Sequence, residues 1–243
     1  MPDLLVVLAL AAIPAGANLA GGLLAELRPV SDRALSMALH GAAGIVLAVV
    51  AIELMPQVLA ETPPLLPVGA FLAGGLFYMG VDTAVTFVRA RMGGGEGTAS
   101  AIAIWIAVAV DLFSDGIMIG TGSSVALGLG VLLALGQAPA DVPEGFAAIA
   151  TFRRSGVARR WRLIAAAAFA VPIFAGALLG YLGVQGQPDV VKFAILAFTA
   201  GILTTVVVEE IVPEAHKGPD SKRATLAFIG GFSLFALLSA VLG

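Results

Sequence analysis

Four carboxylates lie inside stretches that otherwise have the composition of lipid-spanning helices. Residues 111–116 read Asp-Leu-Phe-Ser-Asp-Gly and residues 140–145 read Ala-Asp-Val-Pro-Glu-Gly, with apolar and small residues between them. A carboxylate near the centre of a bilayer costs roughly 2.5–3.5 kcal/mol even on the lenient insertion scale. Asp111 and Asp115 are four apart and share a helix face; Asp141 and Glu144 are three apart and share another. At 1.5 Å per residue, Asp111 falls about 18 Å from the inner end of its segment, near the midplane. A short turn joins the two segments, so they run antiparallel and their four acids are expected to converge. No Lys or Arg stands in the middle of any apolar segment, which leaves protons or a bound cation as the compensating charge. Pro143 sits between Asp141 and Glu144 and cannot donate to the carbonyl of residue 139. A kink with free oxygen acceptors is expected there, a break that lipid tolerates only beside protein or a wet cavity. The bland alternative, acids that serve only helix packing, has to bury four of them on two facing helices.

Hydrophobic residues make up 59% of the chain and charged residues 12%, about half the charge of an ordinary soluble domain. An all-α integral membrane protein follows. Eight segments of about twenty residues are long enough to cross the hydrocarbon: Leu4–Ala25, Ala34–Leu59, Leu66–Val88, Ala99–Val125, Leu127–Ala150, Leu163–Leu182, Val190–Val212 and Ala224–Leu242. Arg28-Pro29, Thr62-Pro63-Pro64, Gly93-Gly94-Gly95, Gly122-Ser123, Gln185-Gly186 and Gly218-Pro219 punctuate them, leaving a single domain over residues 1–243. The first segment begins with Asp3 and no basic residue, which reads as a span and not as a cleaved signal. Of the 13 basic residues, all but Lys192 fall in odd-numbered loops, so those loops are expected in the cytoplasm and both termini outside, in a plasma or inner membrane. The net charge of -3 gives no sign of a nucleic-acid partner; the partners expected are metal cations and membrane lipids, in an assembly compatible with a homodimer. With no cysteine and two histidines, thiolate sites and His-rich clusters are excluded.

Spans one to three carry an echo of spans six to eight. Glu53-Leu54-Met55-Pro56 ends the second and Glu210-Ile211-Val212-Pro213 ends the seventh; Pro14-Ala15-Gly16-Ala17-Asn18-Leu19 in the first faces Pro172 and Ala175-Gly176-Ala177-Leu178 in the sixth. Paired spans cross in opposite directions, the pattern of an inverted repeat around a central pair, a 3+2+3 arrangement.

Other polar groups read less sharply. Glu209 and Glu210 lie deep enough in the seventh span to line an exit path or to serve packing. Glu214, His216 and His40 read as interfacial groups, Arg153–Arg162 as an orientation signal, and Asp82 and Glu53 fit no scheme.

At these motifs the chain resembles the ZIP (ZRT/IRT-like) family of divalent metal transporters. Residues 111–116 resemble that family's fourth-span His-Asn-x-Pro-Glu-Gly. Residues 140–145 resemble its fifth-span motif, with Asp141, Pro143, Glu144 and Gly145 in register. Residues 208–216, Val-Glu-Glu-Ile-Val-Pro-Glu-Ala-His, resemble its seventh-span pattern, and residues 40–56 its second span. The resemblance implies an eight-helix fold with inverted repeats that moves metal toward the cytosol. It implies a site lined by Asp111, Asp115, Asp141 and Glu144, with Glu209 and Glu210 on the inward route. It departs from the family where Asp111 replaces a His, Leu112 an Asn, Ser114 a Pro, Glu209 a His, and Val171 a Glu of a second metal site. Those departures point to one oxygen-lined site.

The expected function is transport of a divalent cation (Zn, Fe, Mn or similar) as substrate, with no organic cofactor and no enzymatic activity. The alternatives are a non-transporting metal sensor and an intramembrane metallo-hydrolase; the second wants a His-Glu-x-x-His pair that the apolar segments lack.

Overall fold

The computed structural model describes residues 2–27, 31–91, 96–217 and 222–242, with only the backbone of residues 88–91, 96–101 and 103. The turns expected at Arg28-Pro29, Gly93-Gly94-Gly95 and Gly218-Pro219 lie outside the described residues. Eight long helical stretches make up the fold among the described residues: α1 (Leu4–Leu27), α2 (Asp32–Glu61), α3 (Leu65–Arg91), α4 (Glu96–Val125), α5 (Leu127–Arg154), α6 (Arg159–Gly183), α7 (Asp189–Ala215) and α8 (Lys222–Leu242). Seven are long and apolar enough to cross a membrane; α5 has the length but carries Gln137, Asp141, Glu144 and two prolines. The chain is an all-α integral membrane protein. Large apolar side chains such as Leu72, Leu76, Leu226 and Leu237 stand exposed on α3 and α8, as lipid contact requires.

Proline chemistry explains most of the helix irregularities. Phe169 interrupts α6 three residues before Pro172, which has no N–H to donate to the carbonyl of Ala168. In α2 and α7 the ladder widens to π-helix over Val49–Leu54 and Val207–Ile211, immediately before Pro56 and Pro213. At Pro143, where the sequence leads one to expect a kink, α5 keeps its helical assignment and runs on through both Pro139 and Pro143. The fourth and fifth helices are separated only by Ala126, whose extended backbone (φ -151, ψ 138) makes the turn.

Packing divides the helices into two bundles. In one, α1 lies along α5 and α4 along α6; in the other, α2 lies along α8 and α3 along α7. The bundles meet where α2 crosses α5 and α4 crosses α7. Each of the four intimate pairs is closed by reciprocal glycines set against the partner's carbonyl. A Cβ on Gly21 would meet the Val142 carbonyl oxygen at 1.9 Å and one on Gly145 the Asn18 carbonyl oxygen at 2.1 Å. Gly116 and Gly176 do the same for α4 and α6, Gly44 and Gly231 for α2 and α8, Gly74 and Gly201 for α3 and α7. Small residues at such crossings let backbones touch, which is how helices associate in lipid.

This packing is unchanged when α1 is exchanged for α6, α2 for α7, α3 for α8 and α4 for α5. Under that exchange Gly21 matches Gly176, Gly44 matches Gly201, Gly74 matches Gly231, and Gly116 matches Gly145. The echo of Glu53–Pro56 in Glu210–Pro213 keeps the same register, and both glutamates fall in the π-segments. In the first and sixth helices the register differs from the apparent sequence match, because Gly21, and not Gly16, occupies the place of Gly176; Gly16 meets nothing.

Gly176→Val and Gly145→Val should each lower the unfolding midpoint of the purified protein in detergent, by an overpacking cost of about 1–3 kcal/mol. Gly16→Ala should leave it unchanged or raised. Equal midpoints for all three would contradict the close crossings.

Candidate metal-cation site

Asp111, Asp115 and Asp141 are buried and Glu144 is half-buried, all four inside the α4–α5 pair. The residues around them are small or apolar, so each carboxyl depends on a few named neighbours. Gln137, one turn before Asp141 on α5, donates its amide to Asp115. Asp141 and Glu144, three residues apart on α5, share the α4–α5 pair with Asp111. Two carboxylates so placed need a proton or a cation between them, because like charges in a dry site cannot both stand uncompensated.

Asp111, Asp115, Asp141 and Glu144 thus all stand within the α4–α5 pair, with Asp115 held by Gln137. Among the described residues no three Asp, Glu or His side chains close to distances that would hold an ion. Several polar atoms at this level are nevertheless buried without a hydrogen-bond partner: Asp111 Oδ1, Asp141 Oδ2, Gln137 Oε1, Ser114 Oγ, and both amide atoms of Asn18. Such orphans are rare in folded proteins and mark places where water or an ion belongs. Asn18 comes from α1 and lies against Gly145, its Oδ1 at 3.0 Å from where a Cβ would be. The set is all oxygen and amide, a donor chemistry for hard and borderline divalent ions.

A cavity of about 440 Å³ leads away from Glu144. Tyr78 and Asp82 of α3, Thr151 of α5, and Glu209, Glu210 and Glu214 of α7 line it, with Lys217 at its end. Glu210 is half-buried and accepts a hydrogen bond from the Tyr78 hydroxyl; Glu209 is exposed. Asp82, which fits no scheme in the sequence, thus takes a place on the wall of an acidic passage. At its mouth Glu214 pairs with Lys217 at 2.5 Å. The passage opens on the face that carries Lys217, the same end as the Arg153–Arg162 segment.

Glu53, the exchange partner of Glu210, stands in the opposite condition. It is buried and accepts from Gln57 Nε2 at 2.8 Å and from Ser239 Oγ at 2.7 Å. Ser239 occupies the place that Asp82 holds in the other repeat.

Sequence reasoning missed Gln137, Asn18, Ser114 and Tyr78. Three are polar residues inside apolar helices, which was the available signal. Tyr78 carries none, since a tyrosine in a membrane helix is ordinarily an interfacial anchor.

A family model described as ZIP Zinc transporter matches residues 93–239. The whole chain aligns with Zinc transporter ZupT of Shigella dysenteriae serotype 1 at 30% identity over 260 residues, covering 99% of that protein. Zinc transporter ZupT of Salmonella arizonae is 28% identical over 254 residues and that of Salmonella newport 30%, each with the whole of this chain and 97% of the relative covered.

Since the chain has no native cysteine, single replacements report exposure cleanly. In detergent, Asp82→Cys and Thr151→Cys should react with a bulky water-soluble maleimide within minutes, and Glu53→Cys should stay protected. Equal labelling at all three would mean that the two half-passages do not differ.

Proposed function

The chain belongs to the ZIP zinc transporter family, and from that premise we propose that it carries a divalent metal cation across the membrane to the cytosol. The observation that carries the reading is the run of acids from the buried group at Asp111, Asp141 and Glu144 into the cavity walled by Glu210, Asp82 and Glu209. A cation entering the buried group replaces lost hydration with carboxyl and amide oxygens. Leaving it, the ion meets a carboxylate at each step until Glu214, whose charge Lys217 already balances.

All four central acids belong to the α1/α4/α5/α6 bundle, whereas Glu53 and Glu210 belong to the other. Movement of one bundle against the other would present the same group to Glu210 in one state and to Glu53 in the exchanged state, the alternating access that repeat symmetry supplies. Under the exchange Asp115 takes the place of Glu144, so each repeat half has one acid to face the glutamate of the other bundle. The loops rich in Lys and Arg support a reading with the open passage on the cytoplasmic side and both termini outside. All eight helices then cross the membrane. Zinc is the first cargo to test, because the relatives carry that name; the oxygen donors admit Mn²⁺ and Fe²⁺ as well.

In proteoliposomes, Asp115→Ala and Glu144→Ala should abolish metal uptake while leaving the unfolding midpoint near that of the parent chain. Gln137→Leu, which removes only the donor to Asp115, should slow uptake about tenfold, the scale at which second-layer partners act on metal sites. Normal uptake by both alanine variants would sink the assignment.

A further inference from the structure

The only two histidines of the chain lie together. His40 is on the first half of α2 and His216 follows the last turn of α7, 176 positions apart by their numbers, yet their ring centres are 4.9 Å apart with planes inclined at 58°. Each ring is fixed in the same way. The Nδ1 of His40 stands 2.8 Å from the Ser36 carbonyl oxygen, and the Nδ1 of His216 stands 2.8 Å from the Val212 carbonyl oxygen, each one turn back on its own helix. A carbonyl oxygen only accepts, so each Nδ1 carries the proton and donates it. The lone pair is then left on Nε2 in both rings. This is the tautomer of a metal-binding imidazole, held by a partner on its other nitrogen.

We propose that His40 and His216 form a second, two-imidazole cation site at the mouth of the acidic cavity. Two imidazoles bound through Nε2 to one tetrahedral ion, with metal–nitrogen bonds of roughly 2.0–2.1 Å, hold their ring centres about 5 Å apart. The observed separation matches that requirement. The position matches as well: Leu39, beside His40, and Glu214 and Lys217, on either side of His216, all line the cavity. Glu214 is committed to Lys217, and among the described residues no third Asp, Glu or His joins the pair at ligand distance. Water therefore completes the coordination, and a half-open site of this kind holds an ion loosely enough to release it. Nitrogen donors also change the selection. The buried acids take hard and borderline ions alike, whereas two imidazoles favour Zn²⁺ over Mg²⁺ or Ca²⁺. The site uses the transporter reading only in taking the cargo as its ligand.

The test uses the untagged full chain in lipid nanodiscs, labelled with ¹⁵N only at histidine and titrated with Zn²⁺. Both Nε2 resonances should move together along one saturable binding curve, while both Nδ1 resonances keep the signature of protonated nitrogen. His40→Gln should weaken the response of the remaining His216 at least about tenfold, with an unchanged unfolding midpoint. Movement of neither Nε2, of only one, or of His216 undiminished in His40→Gln would overturn the proposal. Glu144→Gln keeps the test separate from the transport reading: it should leave the histidine response intact whether or not the acids carry cargo.

Discussion

Everything central to this protein depends on how a carboxyl group is kept inside an apolar bundle. The structure holds its acids in two different ways. At the end of α1, Glu26 is clasped by Arg162, with a second contact of 2.8 Å from the guanidinium Nη2 and Arg159 at 3.6 Å. Its charge is fully answered by fixed charge, and it ties α1 to α6. In the interior the partners are neutral: Gln137 for Asp115, Tyr78 for Glu210, Gln57 and Ser239 for Glu53. A neutral donor steadies a carboxyl without cancelling it. An arginine in the same place would satisfy the acid permanently and exclude a cation, since removing a buried charge from its partner costs several kcal/mol. The segregation of basic side chains to the helix ends is thus a condition for a cation site as well as an orientation signal.

The second requirement is closeness. Acids on α4 and α5 can share a guest only if their helices approach, and glycines against carbonyl oxygens set that approach. The same device closes all four intimate helix pairs within the bundles. The two crossings between them, α2 with α5 and α4 with α7, involve the same two helices that carry the four central acids. Both π-segments lie on the helices that make those crossings, where a widened ladder gives the backbone some latitude.

Much of this was legible in the residues. The apolar segments, the acids at spacing four and three, and the echo of Glu53–Pro56 in Glu210–Pro213 were visible because each is a local pattern with a period or a motif. Pro139 and Pro143 leave α5 a continuous helix, whereas the ladder widens to π-helix before Pro56 and Pro213, a difference that no local motif announces. The register of the first and sixth helices was obscured by a composition rich in Ala and Gly, which offers many equivalent matches. Asp82 and Tyr78 stayed opaque because their meaning comes from Glu210, 128 and 132 positions away by number. His40 was read as interfacial for the same reason: nothing near it in sequence names His216.

The exchange symmetry also shows where the halves have diverged, and the divergence has a direction. Glu53 corresponds to Glu210, but the positions around them differ. Gln57 stands opposite Glu214, Ser239 opposite Asp82, and Phe235 opposite Tyr78. One repeat thus surrounds its glutamate with neutral groups, and the other adds carboxylates at two of three positions. Carboxylates in a confined, partly desolvated passage attract a cation far more strongly than the same groups would in bulk water. Carboxylates thus accumulate from Glu53 through the central group to the cavity wall, where the series ends at the Glu214–Lys217 pair. Asp82 and Glu214, standing where the exchange puts Ser239 and Gln57, make the Lys217 side of an otherwise symmetric frame the more acidic one.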